Sequence, residues 1–183
     1  MAARDLAPDE HRLHVGQGTF EVTDRHDVVL STILGSCVSA CLRDPSTGIG
    51  GMNHFLLPEA PGSGGDDRRY GVQAMELLIN GLLRLGAQRD RLEAKVFGGA
   101  RMSPGLMDIG GKNIAFIRRF LDHEDIPIVA ECLGGEQARR IHFWPAMGRV
   151  KQQRVSDPSV IVRERVLARP AAPAAVGDLE LFE

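Results

Sequence analysis

At 183 residues the chain is long enough for one domain with a substantial core. Its 22 basic and 24 acidic side chains nearly cancel, which argues against the clustered positive surface of a nucleic-acid binder. The three cysteines, Cys37, Cys41 and Cys132, show no disulfide spacing, and residues 1–14 lack the apolar stretch of a signal peptide. No apolar run reaches the roughly 18 residues that cross a bilayer, so a reduced, cytoplasmic protein that is not membrane-embedded is expected.

Residues 1–14 are polar and read as a loose segment, and Val15–Val22 as an opening strand. Val28–Leu34 and Val38–Arg43 are rich in β-branched and apolar residues and read as strands, as does Ile49–Leu57. Between the last two, Asp44-Pro45-Ser46-Thr47-Gly48 has the composition of a turn. A polar, glycine-rich loop follows over Glu59–Asp67. Helical spacing from about Arg69 to Leu85 puts Ala74, Leu77, Leu78, Gly81, Leu82 and Leu85 on one face, with Gly86 as C-terminal cap. Leu92–Phe97 alternates as a strand and Gly98-Gly99 breaks it. Gly111–Glu124 reads as a second helix with Ile114, Ile117 and Leu121 inward. Ile126–Leu133 is a strand, and Arg140–Trp144 with Arg149–Val155 forms a hairpin. The doublets Arg118-Arg119 and Arg139-Arg140 read as solvated faces. Strands outnumber helices and gather at both ends, an α+β class. One domain over 15–167 is expected, followed by an Ala/Pro-rich flexible tail over 168–183.

The stretch with chemical content is Leu34-Gly35-Ser36-Cys37. A buried cysteine is commonly only a small hydrophobe, but Cys37 follows a Gly-Ser turn where Gly35 permits a sharp or positive-φ bend. Turn amides at Gly35 and Ser36 can face a developing oxyanion. Cys41 and Cys132 lack that full setting and read as core residues. Met52-Asn53-His54-Phe55 places one histidine inside an apolar strand downstream. Cysteine with a histidine in reach is the minimum for thiol catalysis. If the strands carrying Cys37 and His54 form a hairpin, a loop of four residues sets the two opposite and a loop of six sets them diagonal. A loop of five separates them onto opposite faces, since a one-residue slip turns every side chain over. Zinc bound by Cys37, Cys41 and His54 is disfavoured for want of a fourth ligand and of paired spacing. Gly111-Lys112-Asn113 fails the phosphate-loop pattern, with Leu106 where a glycine is needed. No cofactor or metal is expected.

Taken together, LGSCVSACLRDP, GIGGMNHFLLP, YGVQAMELLINGLLRLGA, LEAKVFGGARM, IGGKN, IVAECLGG and ARRIHFWPAMGRV resemble the chemoreceptor glutamine deamidase family, CheD, in order from about Val28 to Arg154. The resemblance implies layered β-sheets packed against two main helices, similar to the bacterial toxin cysteine deamidases. It implies Cys37 as nucleophile and His54 as general base. The family's third catalytic position, a threonine six residues before the cysteine, falls here on Ser31, with Thr32 beside it. Thr32 and Asn53 are kept as positioning candidates. The family's late Asp-x-Gly-Gly block departs to Glu131-Cys132-Leu133-Gly134-Gly135. The implied reaction is hydrolysis of glutamine to glutamate on the cytoplasmic helices of chemoreceptors. A CheC-type phosphatase adaptor is the implied partner. The alternatives are a non-catalytic receptor- or adaptor-binding module and a thiol esterase acting on receptor glutamyl methyl esters.

Overall fold

The computed structural model describes residues 10–57, 66–102 and 108–155. Its strands are β1 (His11–His14), β2 (Thr19–Thr23), β3 (Val28–Leu34), β4 (Val38–Arg43), β5 (Gly50–His54), β6 (Glu93–Gly98), β7 (Ile128–Leu133), β8 (Ala138–Trp144) and β9 (Arg149–Val155). Two helices accompany them, α1 (Asp66–Leu85) and α2 (Ile109–His123), with a 3-10 turn over Arg89–Arg91. Most of the glycine-rich loop and the whole Ala/Pro-rich tail fall outside the described residues.

Strand alternation sets the layers. Val38, Ala40 and Leu42 of β4 join Ala94 and Val96 of β6 against Met75, Leu78, Ile79 and Leu82 of α1 and Ile117 and Leu121 of α2. The opposite face carries Cys37, Cys41, Met52 and Phe97, which pack on Leu30, Leu34, Ile141 and Phe143. The five-stranded sheet, in the order β2-β5-β4-β6-β7, is therefore the middle layer, covered by helices on one side. The four-stranded sheet, β1-β3-β8-β9, covers the other. This is the α+β class read from the sequence pattern, with the layered sheets and two helices that the family resemblance implies.

Three expectations change. His11–His14 is a strand rather than loose chain, pairing in parallel with Val28–Ser31. Since β8 bonds only one edge of β3, the backbone groups on the other edge need a partner. The single opening strand expected over Val15–Val22 is interrupted at residues 15–18, where Gly18 has a φ of +80 and the chain leaves one sheet for the other. On α1, Leu77 and Leu85 are exposed and Met75, Leu78, Ile79 and Leu82 form the buried stripe. The Gly86 cap is as expected, with φ +105 and its amide on the Leu83 carbonyl. Asp108 caps α2 by accepting from the Gly111 amide at 2.8 Å.

Candidate active site

The β4–β5 hairpin takes the even register. Arg43 pairs with Gly50, Leu42 with Gly51 and Cys41 with Met52, and an isolated bridge joins Val38 to Phe55. The loop is residues 44–49, so Cys37 and His54 lie diagonally on one face, toward the four-stranded sheet. Asp44 fixes that loop. Its carboxylate accepts from the Ser46 amide at 2.9 Å, the Gln88 amide at 3.0 Å and the Arg91 guanidinium at 2.7 Å. The guanidinium, foremost, holds the Asp44 carboxyl well below the usual carboxylate range.

His54 is buried, and burial lowers its pKa to about 4, partly offset by the Val15 carbonyl. The imidazole is therefore neutral near pH 7. Its tautomer follows from proton counting. Thr32 Oγ1 donates its only hydrogen to the Val15 carbonyl at 2.7 Å, so at 2.8 Å from His54 Nδ1 it acts as acceptor. Nδ1 then carries the proton, and Nε2 is left with a bare lone pair. Among the described residues Nε2 is buried and makes no hydrogen bond. A buried nitrogen without a partner is costly in a fold that otherwise satisfies its polar groups, and such exceptions call for an explanation.

Cys37 sits at the head of β4, held through the backbone. Its carbonyl accepts from the Gly99 amide at 2.7 Å, and the Gly35 carbonyl accepts from the Ala100 amide at 2.8 Å. Gly98 has φ +112, and a side chain there would run into the Cys37 carbonyl, so the Gly98-Gly99 break is the cradle of the cysteine. Gly35 itself is not among the positive-φ glycines; its lack of a side chain matters because the Met102 side chain lies where a Cβ would reach, 3.3 Å away. Asn113 of α2 is buried and ties the turn together: Nδ2 donates to the Ser36 carbonyl and Oδ1 accepts from the Leu57 amide, each at 2.9 Å. Nothing local in the sequence marks Asn113 for this role, because its partners lie in the turn before β4 and beyond the end of β5, both more than fifty residues away. Gln17 is likewise unmarked; the Cys37 thiol points at its Oε1 at 3.8 Å.

Other candidates land elsewhere. The hydroxyl against His54 belongs to Thr32, not Ser31. Ser31 occupies the opposite face of β3, in register with His14 and His142 of the adjoining strands. Asn53 faces the helices: its Oδ1 accepts from the Ala40 amide at 2.9 Å and its Nδ2 reaches Met75 Sδ at 3.2 Å. It secures the middle sheet to α1 and does not touch the cysteine–histidine face. Cys41 is buried and its thiol is pushed up to about 12 by that burial. Cys132 is half-buried rather than core, its sulfur contacted by Arg139 Nη1 at 3.3 Å and Gln152 Nε2 at 3.2 Å. Arg139, expected on a solvated face, is buried and bonds the Cys132 and Gly134 carbonyls. Among the described residues no three His, Cys, Asp or Glu side chains converge as a metal site, and no helix is long and apolar enough to cross a membrane.

Comparison with known proteins adds the following. Residues 56–154 match the family model described as CheD chemotactic sensory transduction. A protein of Caulobacter sp. (strain K31), named probable chemoreceptor glutamine deamidase CheD, is 56% identical over 174 residues, 93% of either chain. A protein of Sinorhizobium medicae with the same name is 54% identical over 175 residues, 93% of this chain and 96% of its own. Among solved structures, Bacillus licheniformis YfiH superposes with a TM-score of 0.42 at 15% identity, over 69% of this chain and 60% of its own, too distant to carry an argument.

Proposed function

The chain belongs to the CheD family of chemotactic sensory transduction, and on that footing we propose that it hydrolyses glutamine side chains of chemoreceptors to glutamate, with Cys37 as nucleophile and His54 as base. The observation that carries this reading is the neutral His54 Nε2, without a partner among the described residues and on the same face as Cys37, its tautomer set by Thr32. Nε2 takes the thiol proton, and sulfur adds to the carboxamide carbon. The carbonyl electron pair moves to oxygen, where amides of the Gly35-Ser36-Cys37 turn supply hydrogen bonds. Collapse expels the nitrogen as ammonia, protonated by His54, and leaves a thioester. Water, deprotonated by the same imidazole, then releases glutamate and the thiol. The burial that keeps His54 neutral thus keeps it a base.

The substrate segments would be the cytoplasmic helices of receptors, and the protein would act in the cytoplasm. A CheC-type phosphatase adaptor would compete for the same face. Incubation with a receptor cytoplasmic fragment should release ammonia and convert particular glutamines to glutamate by mass spectrometry. Equal conversion by Cys37→Ala would refute the mechanism, and binding without ammonia would leave only a receptor-binding module. Faster turnover of glutamyl methyl esters than of glutamines would make the protein an esterase instead.

A further inference from the structure

The crossing segment Val15-Gly16-Gln17-Gly18 touches Thr32, His54 and Cys37. The Val15 carbonyl accepts from Thr32 Oγ1 at 2.7 Å and lies 3.4 Å from His54 Nδ1. The Gly18 amide donates to the His54 carbonyl at 2.7 Å, and the Val15 amide to the Ser31 carbonyl at 2.8 Å. The Thr19 hydroxyl closes the turn on the Gly16 carbonyl at 2.8 Å. Gln17 is thereby pinned on both sides, and its half-buried carboxamide is directed at Cys37 Sγ, 3.8 Å from Oε1.

We propose that Gln17 is a further catalytic residue of this site, its carboxamide serving as a side-chain donor to the oxyanion. The inference rests on the reading of Cys37 as nucleophile. In the resting protein the thiol donates to Oε1. Once sulfur has lost its proton, that acceptor no longer has a donor facing it. The terminal torsion of a glutamine is broad and roughly two-fold, so the carboxamide can turn about it and bring Nε2–H into the place of Oε1. When sulfur bonds to the substrate carbon, the carbonyl pair moves to oxygen beside the sulfur, within reach of that N–H. Collapse returns the pair, breaks the carbon–nitrogen bond and frees Gln17 for the hydrolytic half-reaction, which passes through a second oxyanion at the same spot. A donor that is held by the fold before charge develops is the kind that stabilises a transition state without reorganisation.

The test compares two reactions of the same sulfur. Alkylation of Cys37 by iodoacetamide forms no oxyanion, whereas deamidation forms two. Gln17→Met keeps the length of the side chain without a donor or a charge. It should lower kcat for deamidation of a receptor cytoplasmic fragment by about 10²- to 10³-fold. KM should stay within a few-fold and Cys37 alkylation should proceed at the wild-type rate. Gln17→Glu, which keeps the acceptor but loses the donor, should be impaired to at least the same degree. Parallel loss of alkylation and turnover in Gln17→Met would reduce the residue to a structural prop, and undiminished kcat would overturn the proposal outright. Conversion of Gln17 itself to glutamate in the wild type but not in Cys37→Ala would make it a substrate instead. Cys37→Ala, run alongside, separates the two levels: if it still turns over, the nucleophile assignment fails. If it is inactive while Gln17→Met is not, only the role of Gln17 fails.

Discussion

Cys37, just ahead of β4, and Cys41, within it, lie four residues apart and face the same side, both buried and both packed between the two sheets. What separates them is the polar company each keeps. Cys41 lies between Met52 and Lys95 of the flanking strands with the Ser39 side chain beside it, and burial still outweighs both polar neighbours and pushes its thiol up to about 12, so it is inert near neutrality. Cys37 stands where the strand meets a turn, beside a carboxamide, diagonal to an imidazole whose Nε2 has no partner among the described residues. Burial alone makes a cysteine unreactive, and on the proposed mechanism it is the neighbouring base that reverses this at Cys37.

The sharpest way to break the contrast is at the sulfur. Cys37→Ser should lower turnover by about 10⁴-fold or more, since members of a catalytic unit are not individually dispensable. Folding, followed by circular dichroism, should be unchanged. Next comes the hydroxyl that sets the tautomer. Thr32→Val keeps the shape and removes the acceptor of Nδ1–H, and should cost about 10- to 100-fold in kcat, a part of what general-base catalysis contributes. Ser31→Ala, on the other face of β3, should leave kcat at the wild-type value. The reverse ordering of these two variants would return the positioning role to Ser31.

His54 also writes the contrast into stability. Its folded value of about 4 lies below the ordinary 6.5, so on acidification the unfolded chain takes up this proton before the native one does. The contribution of His54 is complete above about pH 6.5, falls as the pH drops toward 4 and is level below that, a change of about 3 kcal/mol. Denaturant titrations at pH 7 and pH 4 should show His54→Gln losing less stability than the wild type by that amount. Protonation of Asp44, whose carboxyl is held low by Arg91, is common to both proteins and cancels. An equal acid loss in the two would mean that His54 titrates normally in the native state.

How far the site could be read beforehand differs residue by residue. Residues Val28–Leu34 and Val38–Arg43 announce themselves as strands, and the turn composition marks their partner in the hairpin. The register does not follow from local rules, because the loop is held by Gln88 and Arg91, more than forty residues from Asp44. Choosing between Ser31 and Thr32 was likewise blocked by physics. All of β3 is buried, with Val29 and Ile33 on one face and Leu30 and Leu34 on the other, so alternation carries no inside–outside signal. Gln17 was hidden differently: its segment looks like strand until Gly18, at φ +80, turns the chain across the site.

The smallest effect tests the quiet half of the pair. Cys41→Ala removes a buried sulfur from between Leu30-side and Met52-side packing without touching the turn, His54 or Gln17. It should cost about 1 kcal/mol of stability, an ordinary value for a core truncation of this size, and leave kcat at wild type. The same variant should retain one fast-alkylating thiol, because Cys37 keeps its neighbours, while Cys37→Ser with Cys41 intact should lose it. Should Cys41→Ala instead reduce turnover as steeply as Cys37→Ser, reactivity would belong to the strand as a whole. The distinction drawn from the turn, the carboxamide and the imidazole would then fail.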